Sequence, residues 1–339
     1  MTETQRPPQA VTRLILTAVL VAALALAALA SISLGSRPLD PGVVWEALTQ
    51  RRPGLQDHDV IWDLRVPRTV AGLAVGACVA VAGALIQAVT RNPLADPGIL
   101  GVNAGATCAI AVGVAFLGLS SVHGQIWAAL VGALLATVAV SVIGAAGGGP
   151  MNPIRLTLAG AALAAVLLGM TTAITLTHVD AFNTLRHWSA GSLTSRPLSD
   201  IAKVTPFMAA GLLITAMVAR SLNTVALGED LATSLGAKVH RVRLASVVAV
   251  TLTCGAATAI AGPIGFVGLM VPHVVRWVVG PHQVWILALS AMGGPSLLLM
   301  SDVVARLVVT GELPVGVVTA FVGAPVLISM ARGRKVSGL

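Results

Sequence analysis

The sequence predicts an all-α polytopic membrane protein with ten transmembrane helices. Three observations carry this. First, 56% of the 339 residues are hydrophobic and only 10% are charged, with a mean hydropathy of +0.90, whereas soluble domains carry about 25% charged residues. Second, apolar runs of roughly 20 residues, the length that crosses a bilayer, recur along the whole chain. Third, the 35 glycines and many alanines suit helices in lipid, where small residues let backbones approach. No soluble fold of this length hides so much apolar surface.

Taken in order, residues 1–10 are polar and expected to be flexible. The apolar run 14–34 follows Arg6 and Arg13. Ala28-Leu29-Ala30 resembles a signal-peptide cleavage site, but the run is longer than a signal core and more spans follow, so a retained first helix is expected. Further spans are read at 69–90, 99–119, 125–146, 156–178, 204–219, 244–261, 263–279, 284–303 and 314–330. The 263–279 span is short and follows Gly262-Pro263, so a broken or tilted helix is expected there. The polar connection 35–64 has room for a short interfacial helix between Ser36 and Gln50, with Trp45 and Leu48. A second connection, 180–203, offers Phe182 and Trp188 as interface anchors. The whole chain, 1–339, reads as one transmembrane domain with a polar tail over 331–339. A faint internal repeat sets Ala82-Gly83 and Pro93 beside Ala261-Gly262 and Pro272, as inverted halves would.

Orientation follows from the Lys and Arg distribution. With the N-terminus inside, nine of the 21 basic residues (Arg37, Arg51, Arg52, Arg65, Arg68, Arg186, Arg196, Lys203 and Arg306) fall outside and the other twelve inside. That places 227–243 and the tail in the cytoplasm. The formal net charge of +8 does not indicate nucleic acid, because the arginines are scattered through short loops.

The stretch LGEDLATSLGAKVHRVR, 227–243, is unusually polar for this chain. Leu227, Leu231 and Leu235 recur every four residues and line one helical face, with Glu229 and Asp230 elsewhere around it. Gly236 is a plausible C-terminal stop. Between two spans, such a helix lies on headgroups or docks a soluble partner, and spacing alone leaves both open.

Several function classes are disfavoured. Few ionisable residues fall within the predicted spans, and no acid lies deep in one, which argues against proton- or sodium-coupled transport. His178, Asp302 and Arg306 lie towards span ends, and Asp302 and Arg306, four apart, can pair on one helix face. No HExxH or paired-carboxylate motif appears among the seven histidines and 13 acids. Cys78, Cys108 and Cys254 lie in apolar runs at spacings that fit no metal or redox motif. None of the three lysines follows a glycine-rich phosphate loop. Any ATP must therefore be handled by another subunit.

Three further stretches stand out. Arg65-Val-Pro-Arg68 precedes, by one span, the loop RNPLADPGILG at 91–101, whose Asn92 and Asp96 can bond their own backbone. GPIGFVGLMVPHVVR at 262–276 breaks a helix inside lipid, tolerated only where protein or water satisfies the backbone. Asp302 and Arg306 are followed by ELPVGVVTA at 312–320 and GAPV at 323–326. In this order, together with the 227–243 stretch, these motifs resemble the FecCD family, the permeases of ABC importers for ferric siderophores, haem and cobalamin. The resemblance covers nearly the whole chain.

The resemblance implies ten helices, both ends cytoplasmic and a permease pair, homodimeric or heterodimeric. It implies two ABC ATPase subunits, which supply the ATP and Mg sites, so that this chain itself binds no cofactor or metal and is not catalytic. Their coupling segment matches Leu227, Gly228, Glu229, Asp230, Leu231, Leu235 and Gly236. An extracytoplasmic substrate-binding protein is expected to offer a glutamate from each of its two lobes to Arg65, Arg68 and Arg306. Asn152, Pro153 and Ile154 match the cytoplasmic gate, where the Pro and Ile depart from a turn rich in Ser and Thr in the cobalamin permease. Leu167, Leu168 and Thr171 are candidate pathway residues. The expectation is thus a multi-pass protein of a bacterial cytoplasmic membrane, embedded in lipid, that carries ferric siderophore. A haem or cobalamin permease and, from a different class, a secondary transporter are the alternatives.

Overall fold

In the computed structural model, residues 9–145, 153–194, 196–308 and 313–332 are described, and every regular element among them is helical. Two helices occupy the centre, and both are apolar nearly all round. They are α4 (Val66–Thr90) and α11 (Val239–Ala261). Most of the apolar length of each is buried, whereas little of α1 (Gln9–Ser33) is. A helix apolar on every side faces either protein or lipid; here the two central ones face protein and α1 faces outward.

The remaining long helices pack around this pair. They are α5 (Val102–Leu117), α6 (Val122–Ala145), α7 (Pro153–Thr177), α9 (Leu198–Ala226), α12 (Val267–Val279), α13 (Gln283–Val308) and α14 (Val315–Arg332). With α1, α4 and α11 these make, among the described residues, ten helices at the ten positions read from the sequence. Seven are long and apolar enough to cross a bilayer, and α5, α12 and α14 are shorter. Short helices α2 (Pro41–Thr49), α3 (Gln56–Asp59), α8 (Val179–Trp188) and α10 (Glu229–Ser234) lie in the connections.

Glycine sets the closest helix contacts. A methyl on Gly83 of α4 would overlap the carbonyl oxygen of Gly268 on α12. Gly76 of α4 and Gly294 of α13 abut in the same way, as do Gly105 of α5 and Gly132 of α6. Without side chains between them, backbones come into direct van der Waals contact, which is how helices gain packing energy in lipid. Gln87, fully buried one turn beyond Gly83, donates from Nε2 to Leu269 O at 3.1 Å and ties the same pair.

α4 begins with Pro67 in its first turn, where a missing N–H costs nothing, and ends at Arg91 in a left-handed conformation (φ 51°) just before Asn92-Pro93. The break expected near Gly262 is present. α11 stops at Ala261, residues 262–266 are not helical, and α12 spans only 13 residues. Phe266, at φ 68°, opens α12 in a region that side chains avoid.

Three expectations need correction. The span read at 204–219 is a helix of 29 residues, Leu198–Ala226; Asp200 and Lys203 ended the apolar run but pair with each other at 3.0 Å one turn apart. Trp188 is not an interface anchor: it is 7% exposed, while Phe182 is 49% exposed. The proposed repeat positions are not equivalent, since Gly83 lies inside α4 whereas Gly262 caps α11, and Pro93 lies in a loop whereas Pro272 is inside α12. The interfacial helix is present as α2, with Trp45 71% exposed. The three cysteines are buried and free, as expected.

Candidate functional site

One end of the bundle gathers the C-terminus of α1, the N-terminus of α4 and the C-terminus of α13. Arg65, Arg68 and Arg306 meet there, although 241 residues separate the first from the last. The helix packing shows why they can: α4 and α13 run antiparallel with Gly76 on Gly294, which brings their arginine-bearing ends side by side.

Asp302 is the hub, with 0% exposure. Arg68 grips it with Nε at 3.0 Å from both carboxylate oxygens and its Nη2 at 2.8 Å from Oδ1. Arg306 reaches Oδ2 from one turn away at 3.1 Å. Its other terminal nitrogen donates to Ser31 O at 3.0 Å and Leu34 O at 2.9 Å. The pairing expected for residues four apart therefore forms, and Arg68 joins it. Arg65 is 4% exposed and donates to three carbonyl oxygens, those of Ile32 at 2.8 Å, Ser33 at 2.5 Å and Arg37 at 2.6 Å. It latches the turn after α1 onto α4.

Above these groups lies a cavity of about 510 Å³ lined by Arg37, Arg65, Arg68, Arg196 and Arg306, with Asp63 as the one lining acid among the described residues. A concavity this rich in guanidinium attracts carboxylate or phosphate, which Arg recognises bidentately. Arg196 was not singled out as a site residue from the sequence. It follows a buried turn, Gly191 to Leu193, and no spacing links it to the RVPR motif.

The opposite end carries 227–243. Arg91 donates to Val225 O at 2.8 Å, and Asn223 Oδ1 accepts from Gln283 N at 2.7 Å, so the ends of α4, α9 and α13 are tied together under it. α10 is six residues long, shorter than the leucine spacing suggested. Gly228 precedes it at φ 116° and Gly236 follows at φ 80°. Gly236 N bonds Thr233 O at 2.9 Å and Ala237 N bonds Ala232 O at 2.9 Å, the paired bonds of a Schellman stop. Ala232, at 0% exposure, is its seat on the bundle, while Leu227, Leu231 and Leu235 are 60%, 49% and 62% exposed. Asp230 is exposed beside them. The leucine row thus faces away from the chain.

Of the gate residues, Asn152 lies outside the described residues, Pro153 begins α7, and Ile154 is 70% exposed. The pathway candidates divide. Thr171 is buried and donates to Leu167 O at 2.8 Å on the side of α7 that meets the bundle, while Leu168 is 64% exposed on the other side. Residues 167 and 171 stand one above the other on a helix and 168 points elsewhere, so the three do not form one row. An apolar groove of about 590 Å³ runs along α14 past Val317, Ala320, Phe321, Ala324 and Ile328, against Ala190 and Pro263.

The model of the FecCD transport family matches residues 12–333. The ferric enterobactin transport system permease protein FepD of Escherichia coli (strain K12) is 47% identical over 97% of this chain and 98% of its own length. The probable siderophore transport system permease protein YfiZ of Bacillus subtilis (strain 168) is 39% identical over 85% of this chain and 87% of its own. A solved structure described as a metal-chelate-type ABC transporter in an inward-facing conformation superposes with a TM-score of 0.81 at 24% identity, covering 95% of this chain and 99% of that one, and shares the fold. With its ten apolar helices and a family match across nearly its full length, this multi-pass membrane protein belongs to the FecCD transport family.

Proposed function

We propose that this chain is the membrane subunit of an ATP-driven importer for ferric siderophore, working as a pair of permeases in a bacterial cytoplasmic membrane. The observation that carries the reading is the near full-length identity to a ferric enterobactin permease. The two ends of the bundle support it. The exposed row Leu227, Leu231 and Leu235 on a short helix with glycine at both ends suits a soluble ATPase that must push on the bundle. ATP and Mg would be held in that partner. The arginine-lined cavity at the other end suits acidic groups on an extracytoplasmic binding protein.

The α14 groove supports a path that guides rather than selects. Its walls are apolar side chains and backbone apart from Ser189. A second permease copy facing it would close a wide, chemically bland channel. Selection among chelates would then lie in the binding protein.

The test is uptake into proteoliposomes that hold this permease with its co-purified ATPase and ATP inside, supplied with binding protein loaded in turn with ferric siderophore, haem or cobalamin. ATP-dependent accumulation of labelled iron with siderophore alone is the expected result. Uptake of haem or cobalamin instead would replace the substrate and keep the mechanism. Uptake that needs a proton gradient and no ATP would overturn the importer reading.

A further inference from the structure

The arginines of the 510 Å³ cavity are not alike. Four are already committed. Arg37 pairs with Asp57 at 2.8 Å. Arg65 holds three carbonyls, Arg68 holds Asp302, and Arg306 holds Asp302 with two more carbonyls. Arg196 differs. Among the described residues it makes no hydrogen bond and no ion pair, and its Nε is occluded from solvent without a partner. The acid whose charge acts on it is Asp200. That carboxylate is engaged by Lys203 at 3.0 Å and lies 3.6 Å from His123. Burial pushes the Arg196 guanidinium below its ordinary value and Asp200 opposes the shift, yet a guanidinium stays charged in protein. Asp63, the one acid among the described residues of the cavity wall, lies 3.4 Å from Arg51. Among the described residues, the cavity thus holds one cation whose donors are not in use.

We propose that Arg196 joins the docking arginines as the guanidinium whose free donors receive a carboxylate of the docking partner, while Arg65, Arg68 and Arg306 also hold the cavity in shape. This rests on the reading of the cavity as the binding-protein dock. An acid approaching Arg65 or Arg68 must displace bonds that hold α1, α4 and α13 together. An acid approaching Arg196 displaces nothing and relieves a partly desolvated charge. The planar fork then accepts both carboxylate oxygens. Thr194 and Pro197, which flank the arginine in the cavity wall, set its approach. Pro197 also caps α9 at φ −63°, so the arginine is mounted on the start of a long helix.

The experiment measures affinity between the reconstituted permease–ATPase complex and the binding protein that supports uptake, at low and high salt. Three variants are compared: Arg196→Gln, Arg196→Lys and Thr194→Glu. The last adds an acid to the cavity wall without removing any bond that shapes it. Arg196→Gln is expected to weaken binding about tenfold or more and to flatten the salt dependence. Arg196→Lys should restore the salt dependence and only part of the affinity, because an ammonium is not a fork. Weakening by Thr194→Glu with no effect of Arg196→Gln would keep the dock and overturn the role of Arg196. No effect of either would overturn the dock and this role with it. Should Arg196→Gln fail to assemble, phenylglyoxal labelling of the wild-type complex decides. Arg196 should be modified ahead of Arg65, Arg68 and Arg306 and be protected by the binding protein; equal or slower labelling would overturn the proposal.

Discussion

Removal of the Asp302 carboxylate would strip the arginine-rich end of its hub. In Asp302→Ala, Arg68 and Arg306, whose side chains are 13% and 9% exposed, lose their shared counter-charge. Arg306 keeps the carbonyls of Ser31 and Leu34. Arg68 loses every bond it makes among the described residues. Breaking a buried pair from one side costs about 3–5 kcal/mol. At roughly 2–4 °C per kcal/mol, the melting temperature should fall by about 6–20 °C. Arg68→Met should cost less, about 1–2 kcal/mol, because Asp302 then still faces Arg306 and the methionine fills the stem's place. The double variant should recover at least about 1 kcal/mol over the sum of the two, since the second change removes the charge stranded by the first. Thermal unfolding of the detergent-purified chain, followed by fluorescence of its six tryptophans, reads all three. A loss below about 1 kcal/mol in Asp302→Ala, or strict additivity in the pair, would refute the view that this carboxylate holds α4 and α13 together.

Other perturbations give distinct readouts. Gly83→Val should lower stability by about 3 kcal/mol or prevent accumulation, because the new side chain meets backbone at Gly268, whereas Gly169→Ala, with open space around it, should change melting by less than about 0.5 kcal/mol. Arg65→Lys should fail to replace arginine and cost about 1.5–3 kcal/mol in the same melting assay, because one ammonium cannot span the three carbonyls of Ile32, Ser33 and Arg37. Leu231→Asp should leave melting within about 0.5 kcal/mol, since Leu231 is 49% exposed, yet reduce retention of the ATPase on purification. Equal retention would mean that the leucine row is not the docking face.

The helix count was legible because lipid imposes a strict rule: each crossing needs a run of apolar residues, and few polar groups blur it. α9 escaped that rule at its start. Asp200 and Lys203 look like a loop to a hydropathy window, but a pair on one helix face is compatible with helix. Trp188 was misjudged because aromatic type says nothing of direction; its backbone is pressed against Gly262, which draws the ring's residue inward. In the candidate site, the pairing of Arg306 with Asp302 could be read because it is local. The arrival of Arg68 from 234 positions away could not, and neither could the isolation of Arg196, since being without a partner is a property of the assembled end rather than of any motif. At 227–243 the glycines announced the stop correctly. Which way the leucines face had to come from the packing of Ala232.

The glycine contacts of α4 have a mechanical consequence. A helix that slides past its neighbour moves in steps of a turn, about 5.4 Å. Such a step along α12 would bring Val79 or Gln87 of α4 to the place where Gly83 now leaves room only for a carbonyl. The same step along α13 would set Ser290 or Leu298 against Gly76. α4, α12 and α13 are therefore geared together and act as a stator. Any cycle that opens this chain first to one side and then to the other must turn around that stator, through helices joined to it by side chains alone.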